Sequence, residues 1–197
     1  MEKYYIIVNP IAGRGAAGKS IPEIEDHLKA LGINYDLVQT EFPGHAIQLA
    51  ADSGSKGYGT VVAVGGDGTA NEVINGLMHA SVNHQSKVKL AILPVGRGND
   101  FSYGMGLPQD LETACQNLVS GCTRRIDIGF VKGGDYPEGR YFGNGIGIGF
   151  DTVVGFESLK LPHFIHGTPA YLIAAIKTIF LYFNAPLLRV EIDGDVF

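Results

Sequence analysis

One stretch carries residue types whose spacing suits phosphate chemistry: Val61-Val62-Ala63-Val64-Gly65-Gly66-Asp67-Gly68-Thr69-Ala70-Asn71-Glu72-Val73. An apolar, mostly β-branched run reads as a buried strand, and a glycine-dense turn hands it to a helix. Gly65, Gly66 and Gly68 let the backbone approach a bulky anion, while the helix turns its free N–H groups and positive end to the same place. Thr69 adds a hydroxyl. Asp67 adds a carboxylate that phosphate alone would repel, so a divalent cation or a proton-bearing hydroxyl belongs beside it.

Two further loops are candidates for the same edge. Asn9-Pro10-Ile11-Ala12-Gly13 follows a first apolar run, Tyr4 to Val8, and Pro94-Val95-Gly96-Arg97-Gly98-Asn99-Asp100 follows a fourth, Leu90 to Leu93. If these strands are parallel, all three loops open on the carboxyl edge of one sheet, where open α/β sheets take their ligands. A competing motif overlaps the first loop. Gly13-Arg14-Gly15-Ala16-Ala17-Gly18-Lys19-Ser20 matches the phosphate-loop pattern G-x-x-x-x-G-K-S between a strand and a helix. Against it, Pro22 removes an N–H near the clasping turn, and no later strand offers a clear magnesium-binding aspartate. The dinucleotide fingerprint is only half present, because Asn71 stands where its third glycine is needed.

The elements that position these loops alternate. A capping box at Ser20-Ile21-Pro22-Glu23 opens a helix with Ile24, Leu28 and Leu31 on its apolar side. Tyr35 to Thr40 is a second strand and His45 to Asp52 a helix. Helices are also expected from about Ala70 to His79 and from Gln109 to Val119, ahead of a strand from Arg125 to Val131. Strands alternating with helices predict βαβ units: an α/β, Rossmann-like parallel-sheet domain over residues 1–130. The character then changes. Gly133-Gly134-Asp135-Tyr136-Pro137 is linker-like, and Tyr141 to Phe150 is a glycine-rich alternating run expected to be a strand. Residues 131–197 are expected to begin a β-rich, sandwich-like second domain. That domain carries one apolar helix, Thr168 to Phe183, and ends in a strand from Leu187 without a partner. This helix falls short of the ~20 residues that span a bilayer; core packing is its ordinary role and interfacial membrane contact the alternative.

Hydrophobic residues at 45% against 18% charged describe an ordered globular chain, and a net charge of −5 argues against nucleic acid as partner. Cys115 and Cys122 fit neither a metal knuckle nor a disulfide framework and read as reduced thiols of a cytoplasmic protein. His27, His45, His79, His84, His163 and His166 show no metal-ligand spacing and read as surface or loop histidines.

The trio of loops in this order resembles the diacylglycerol kinase catalytic-domain family, especially its soluble bacterial lipid kinases. Ile126-Asp127-Ile128-Gly129 and Phe142-Gly143-Asn144-Gly145-Ile146-Gly147-Ile148-Gly149-Phe150-Asp151 are similar to that family's later signatures. The Gly-Gly-Asp-Gly core alone is shared with NAD kinases. The resemblance implies transfer of the γ-phosphoryl of ATP to a lipid hydroxyl at the membrane surface, with diacylglycerol the default acceptor. By matched positions, Asn9, Pro10, Gly13, Thr40, Gly65, Gly66, Gly68, Thr69, Glu72, Gly96, Arg97, Asn99 and Asp100 would form the ATP site. Asp67 would be catalytic and would organise Mg²⁺. Arg97, where many relatives carry threonine, would contact phosphate or sit at the rim. Glu72 is alternatively a solvated first-turn residue, and Asp100 a helix cap. The family's acidic base lies in a later part of its second domain, which this chain is expected not to complete. An NAD kinase, a phosphate-loop NTPase and a non-catalytic nucleotide-binding module are the alternatives, and the oligomeric state stays open, a homodimer included.

Overall fold

A computed structural model of the chain describes residues 2–82, 88–134, 136–162, 165, 167–182 and 189–196. They fall into two compact units, Met1–Asn144 and Gly145–Phe197. The histidines at 84, 163 and 166, and the expected strand start at 187, lie outside the described residues.

In the first unit the chain runs β1 (Lys3–Val8), α1 (Ala12–Lys19), α2 (Ile21–Ala30), β2 (Asn34–Gln39), α3 (His45–Ala51), β3 (Thr60–Gly65), α4 (Asp67–Val82), β4 (Lys89–Pro94), α5 (Asp100–Gly104) and α6 (Leu111–Val119), and closes with β5 (Gly129–Gly133) and β6 (Tyr136–Phe142). The first four strands form one parallel sheet in the order β2-β1-β3-β4. A parallel sheet covered on both faces needs strands that are apolar throughout. β3 is buried at every position, and Ile6, Ile7 and Val8 of β1 are fully buried. Alternation along these strands feeds two cores. Tyr5, Ile7, Val61, Ala63 and Ile92 face Ala46 and Ala50 of α3 and Val73, Ile74 and Leu77 of α4. Ile6, Val8, Val62, Val64 and Leu93 face Ala17, Ile24, Leu28, Ala114 and Cys115 on the other side. Burial pushes the Cys115 thiol up to about 11, so it packs as a small apolar group, and both cysteines are unpaired. β2, at the sheet edge, carries the polar residues Asn34, Asp36 and Gln39 at exposed positions.

Several local expectations change. The predicted capping box does not form: Ser20 has helical backbone angles, and its hydroxyl donates to the Ala16 carbonyl (2.9 Å) instead of capping α2. The expected loop over 12–19 is the short α1, broken by three left-handed residues, Gly13, Arg14 and Gly15. α4 starts three residues earlier than expected, which puts Asp67 inside its first turn. The strand expected over Arg125 to Val131 begins only at Gly129, although Ile126 and Ile128 still pack on the core. The linker-like segment around Gly133 is the turn of the antiparallel β5–β6 hairpin. The strand expected over 141–150 stops at Phe142. Glycine at alternate positions from 143 to 149 leaves too little side chain to pair with a neighbour, and Ile148 is 71% exposed.

The second unit contains a helix that the sequence pattern did not predict, α7 (Phe150–Leu159), followed by α8 (Thr168–Leu181). A two-residue hairpin, β7 (Glu191–Ile192) and β8 (Asp195–Val196), gives the last expected strand a partner. α7 and α8 pack through Val154, Ala170 and Ala174. Between them the buried Glu157 carboxylate accepts from the Nζ of Lys160 and of Lys177, both at 2.6 Å. Among the described residues no helix is long and apolar enough to cross a membrane.

Two measurements test this packing. Gly76 of α4 lies so close to α3 that an added methyl would overlap the Ile47 carbonyl oxygen and sit 2.7 Å from the Ala50 methyl. Alanine is ordinarily the better helix residue by about 1 kcal/mol. Here overpacking reverses the sign, and Gly76→Ala should lower the unfolding free energy in urea by about 2 kcal/mol. Hydrogen bonds from Lys160 and Lys177 hold the Glu157 carboxyl below its ordinary range. A depressed folded value stabilises above the unfolded value of about 4.3 and is lost as pH falls through the folded value. Glu157→Gln should therefore speed amide exchange across α7 and α8 at neutral pH, with the gap to wild type closing in acid.

Candidate functional site

Three loops meet where the sheet's order reverses, between β1 and β3. β3 ends at Gly65, and Val95 donates back to the Gly65 carbonyl (2.9 Å), so β3 and β4 stay in register to the rim. There the two chains nearly touch: a methyl on Gly66 would stand 3.2 Å from the Gly96 Cα, and a methyl on Gly96 would overlap both Gly66 and the Asn99 side-chain oxygen. Gly13, left-handed at φ +58°, brings the loop after β1 against the loop after β4, where its Cβ would lie 2.9 Å from the Val95 oxygen. Asn9 ties the first loop to the third. Its N–H donates to the Val64 carbonyl (3.0 Å), and its Nδ2 donates to the buried Thr69 hydroxyl (3.1 Å). Thr69 reaches that position by folding back over Gly65, where any Cβ would stand 2.9 Å from the Thr69 Cβ.

Asp67 opens α4, a helix of 16 residues. Its Oδ1 accepts from the Phe101 N–H (2.9 Å) of α5, which fixes the carboxylate against the fourth loop. Its Oδ2 has no hydrogen-bond partner among the described residues. A methyl on Gly98 would be 3.3 Å from that oxygen and 3.4 Å from Oδ2 of Asp100, so both carboxylates border the same space. Asp100 is the first residue of α5 and caps nothing; the cap position belongs to Asn99, which is left-handed (φ +56°). The Asn99 Oδ1 is buried without a hydrogen-bond partner among the described residues. A backbone cradle cleared of side chains, one carboxylate oxygen and one orphaned amide oxygen fit a ligand with both phosphate and hydrogen-bond donors. Among the described residues no cluster of three acidic, histidine or cysteine side chains is poised to hold a metal. Arg97 and Gly68 are exposed at the rim.

Glu72 does something that the sequence did not suggest. Its carboxylate reaches across to the loop after β2 and accepts from the N–H groups of Gly44 (2.9 Å) and Ala46 (3.3 Å). It is therefore not a solvated first-turn residue: it binds the third loop's helix to the start of α3. Thr40 joins the same edge by donating its N–H to the Val8 carbonyl (2.8 Å). Pro10 sits beneath α1, with its carbonyl accepting from Gly18 (3.2 Å).

The phosphate-loop lookalike fails on the direction of its amides. The N–H of Gly15 donates to the Ile11 carbonyl, that of Gly18 to Pro10 and that of Ser20 to Ala16. The Ser20 hydroxyl, which a nucleotide's metal would need, is held by the Ala16 carbonyl, and Lys19 is exposed. Sequence reasoning also passed over a clamp on the rear of α4. Asn75 Nδ2 donates to the Tyr141 carbonyl (2.9 Å), Asn75 Oδ1 accepts from the Tyr141 N–H (2.9 Å), and Asn71 Oδ1 accepts from Arg140 Nε (2.9 Å). Two asparagines at i, i+4 on α4, Asn71 and Asn75, were the available signal. His27 lies 3.9 Å from Glu23, and His79 lies edge-on to Tyr141.

Residues 3–131 match the model of the diacylglycerol kinase catalytic domain. Over 192 residues, 98% of this chain, the sequence is 33% identical to a diacylglycerol kinase of Staphylococcus saprophyticus and 32% identical to one of Staphylococcus haemolyticus. The chain spans 59% and 55% of those two proteins, so it matches little more than half of their length. Among solved structures it resembles a diacylglycerol kinase from Bacillus anthracis, with a TM-score of 0.55 and 31% identity over 64% of this chain and 42% of that one. With an open-edged parallel sheet, three converging loops and a match across most of its first unit, the chain belongs to the diacylglycerol kinase catalytic-domain family.

Proposed function

We propose that this chain supplies the nucleotide-binding part of an ATP-dependent lipid kinase, which moves the γ-phosphoryl of ATP to a lipid hydroxyl, diacylglycerol by default. The observation that carries the reading is the placing of Asp67: a carboxylate with one oxygen fixed and one unengaged, at the first turn of a long helix, beside two glycine loops pressed together. The nucleotide-binding domain of this reading takes residues 1–130, and residues 131–197 begin the second domain. Acceptor lipid meets the protein at the surface of a membrane on its cytoplasmic side.

Phosphoryl transfer asks mainly for alignment and charge neutralisation. The first N–H groups of α4 have no partner within the helix and face the phosphates, with the positive end of the helix dipole behind them. Gly65, Gly66, Gly68 and Gly96 keep side chains out of the phosphates' path, and Gly13 lets the first loop close on the fourth. Asn9 and Thr69 lock the first and third loops together; Asn99 offers its amide oxygen, and Arg97 adds positive charge at the rim. Mg²⁺, when bound, would supply positive charge to offset that of the phosphates. Asp67 would anchor that ion, directly or through water, and set the acceptor hydroxyl in line. The acceptor oxygen bonds to the γ-phosphorus as the bond to the β-phosphate oxygen breaks; a phosphate monoester, ADP and the hydroxyl proton leave. Glu72 acts at one remove, by keeping the loop that carries Thr40 fixed to α4.

The test uses the parent protein in mixed micelles with labelled ATP. Diacylglycerol should gain the label, and Asp67→Asn should lower kcat by at least about 10³-fold, the scale of losing a group that acts on transition-state charge. Its circular dichroism and melting should stay close to wild type. Lys19→Ala, outside the cradle, should retain turnover within about threefold, whereas a phosphate-loop enzyme would lose its activity. Near-normal turnover by Asp67→Asn would sink the assignment.

A further inference from the structure

The cradle accounts for phosphate and leaves the nucleotide's base without a seat. We propose that Phe42, stacked on His45 in the loop after β2, is the platform on which the purine base of the nucleotide stacks; the proposal rests on the nucleotide reading above and extends it to base recognition.

A lone exposed phenylalanine carries no message, since scattered apolar residues are normal on protein surfaces. Phe42 differs in how it is held. Its ring lies parallel to the His45 imidazole, with centroids 4.5 Å apart and planes 6° apart, while the residue stays 48% exposed. One ring face is covered and the residue remains half open, which is the geometry of an unfinished stack. The loop beneath it is fixed by several hydrogen bonds. The Glu41 N–H donates to His45 Nδ1 (3.1 Å), and the His45 N–H donates to the Phe42 carbonyl (3.1 Å). The Glu72 carboxylate holds Gly44 and Ala46, and Gly44 takes the left-handed turn at φ +86°. Glu72 stands on α4, whose first turn carries Asp67, so the helix that faces the phosphates also sets the height of the aromatic pair. Such a platform is formed before the ligand arrives, which spares the ordering cost of building it on binding.

Its position fits the reach of a nucleotide. In the order β2-β1-β3, the end of β2 lies two strand spacings from the end of β3, roughly 10 Å along the rim. A nucleotide with its phosphates at α4 and its ribose over the end of β1, near Asn9, would bring its base to the end of β2, at Thr40 and Phe42. Ile11, 78% exposed on the intervening β1 loop, gives this stretch of rim a second apolar surface. Stacking of an aromatic ring on a base accepts any π-face, so the site selects a nucleotide over bare polyphosphate while Thr40 supplies polar contact.

Calorimetric titration of the whole chain with Mg-ATP and with Mg-tripolyphosphate, which has the phosphates and no base, separates the possibilities. Phe42→Ala should weaken ATP binding about tenfold, the loss expected from one base stack, and leave tripolyphosphate binding within about twofold. The chain contains no tryptophan. F42W therefore adds a single indole, whose fluorescence should be quenched by ATP and unchanged by tripolyphosphate. Wild-type ATP affinity in Phe42→Ala, equal loss of both ligands, or an indole indifferent to ATP would overturn the base platform alone. A wild-type chain that binds neither ligand would overturn the nucleotide reading along with it.

Discussion

The structure depends on a place where two backbones come as close as side-chain-free residues permit. Gly66 and Gly96 face each other at the ends of β3 and β4, at a distance that no Cβ on Gly96 tolerates. β3 and β4 run side by side in register up to Pro94, so their loops leave the sheet together and would ordinarily splay. Removing both side chains lets them stay in contact, and the pair then defines a narrow rim. α4 starts on one side of that rim and α5 on the other, joined by the Asp67 carboxylate and the Phe101 amide. A side chain on Gly96 would displace the Asn99 side chain and the Gly66 backbone, while one on Gly66 would meet the Gly96 Cα at 3.2 Å. The site is thus a consequence of sheet register carried to its last residue.

Much of this was legible in the chain. The apolar runs of β1, β3 and β4 are unbroken because both faces of the sheet are covered, and such runs announce themselves without periodicity. Asp67 among its glycines, the Asn9 loop and the 94–100 loop were identifiable by residue type, and the fold brings all three to one edge. What could not be read were bonds made at long range by residues with two plausible local roles. Glu72 looks like a first-turn acid favoured by the helix dipole, and only the folded chain shows it receiving two amides from residues 26 and 28 positions away. Asn71 registers as a missing glycine in a fingerprint, while its side chain secures the β6 hairpin. Ser20 satisfies a capping rule on paper, but the preceding helix reaches it first and takes its hydroxyl. Local rules assume that the neighbouring segment is free, and in this chain α1 and α2 are contiguous. Glycine misled as well: at 143–149 it interrupts a strand, whereas at 65–68 and 96–98 it makes the site.

The phosphate-loop lookalike shows why a pattern is weaker than the geometry it stands for. A working phosphate loop arrays consecutive N–H groups towards an empty centre, and its lysine and hydroxyl complete the shell. Here Gly13, Arg14 and Gly15 are left-handed, as tight loops demand, yet the amides that follow are consumed in closing α1 on itself and on Pro10. The same small residues that satisfy the pattern make this closure possible, because Gly18 must be bare to lie on Pro10. Composition drew the segment into the motif; packing removed it. The amides that remain available are those at the start of α4, at the other glycine cluster.

A cradle built from main-chain amides and a helix end reads charge and spacing and is indifferent to what the phosphates are attached to. The side chains beside Asp67 that depart from this are few: the Asp100 carboxylate across Gly98, the Asn99 amide and the Thr69 hydroxyl. Discrimination among phosphate-bearing ligands would then fall to side chains along the rest of the rim, where the Phe42–His45 stack stands on the loop that Glu72 secures. On the proposed nucleotide reading Asp67 would set charge where the phosphates lie, while Glu72, a turn and a half further on, fixes the loop after β2. α3 has no side-chain cap of its own, so the Glu72 carboxylate, standing on α4, couples the start of α3 to the helix that Asp67 opens.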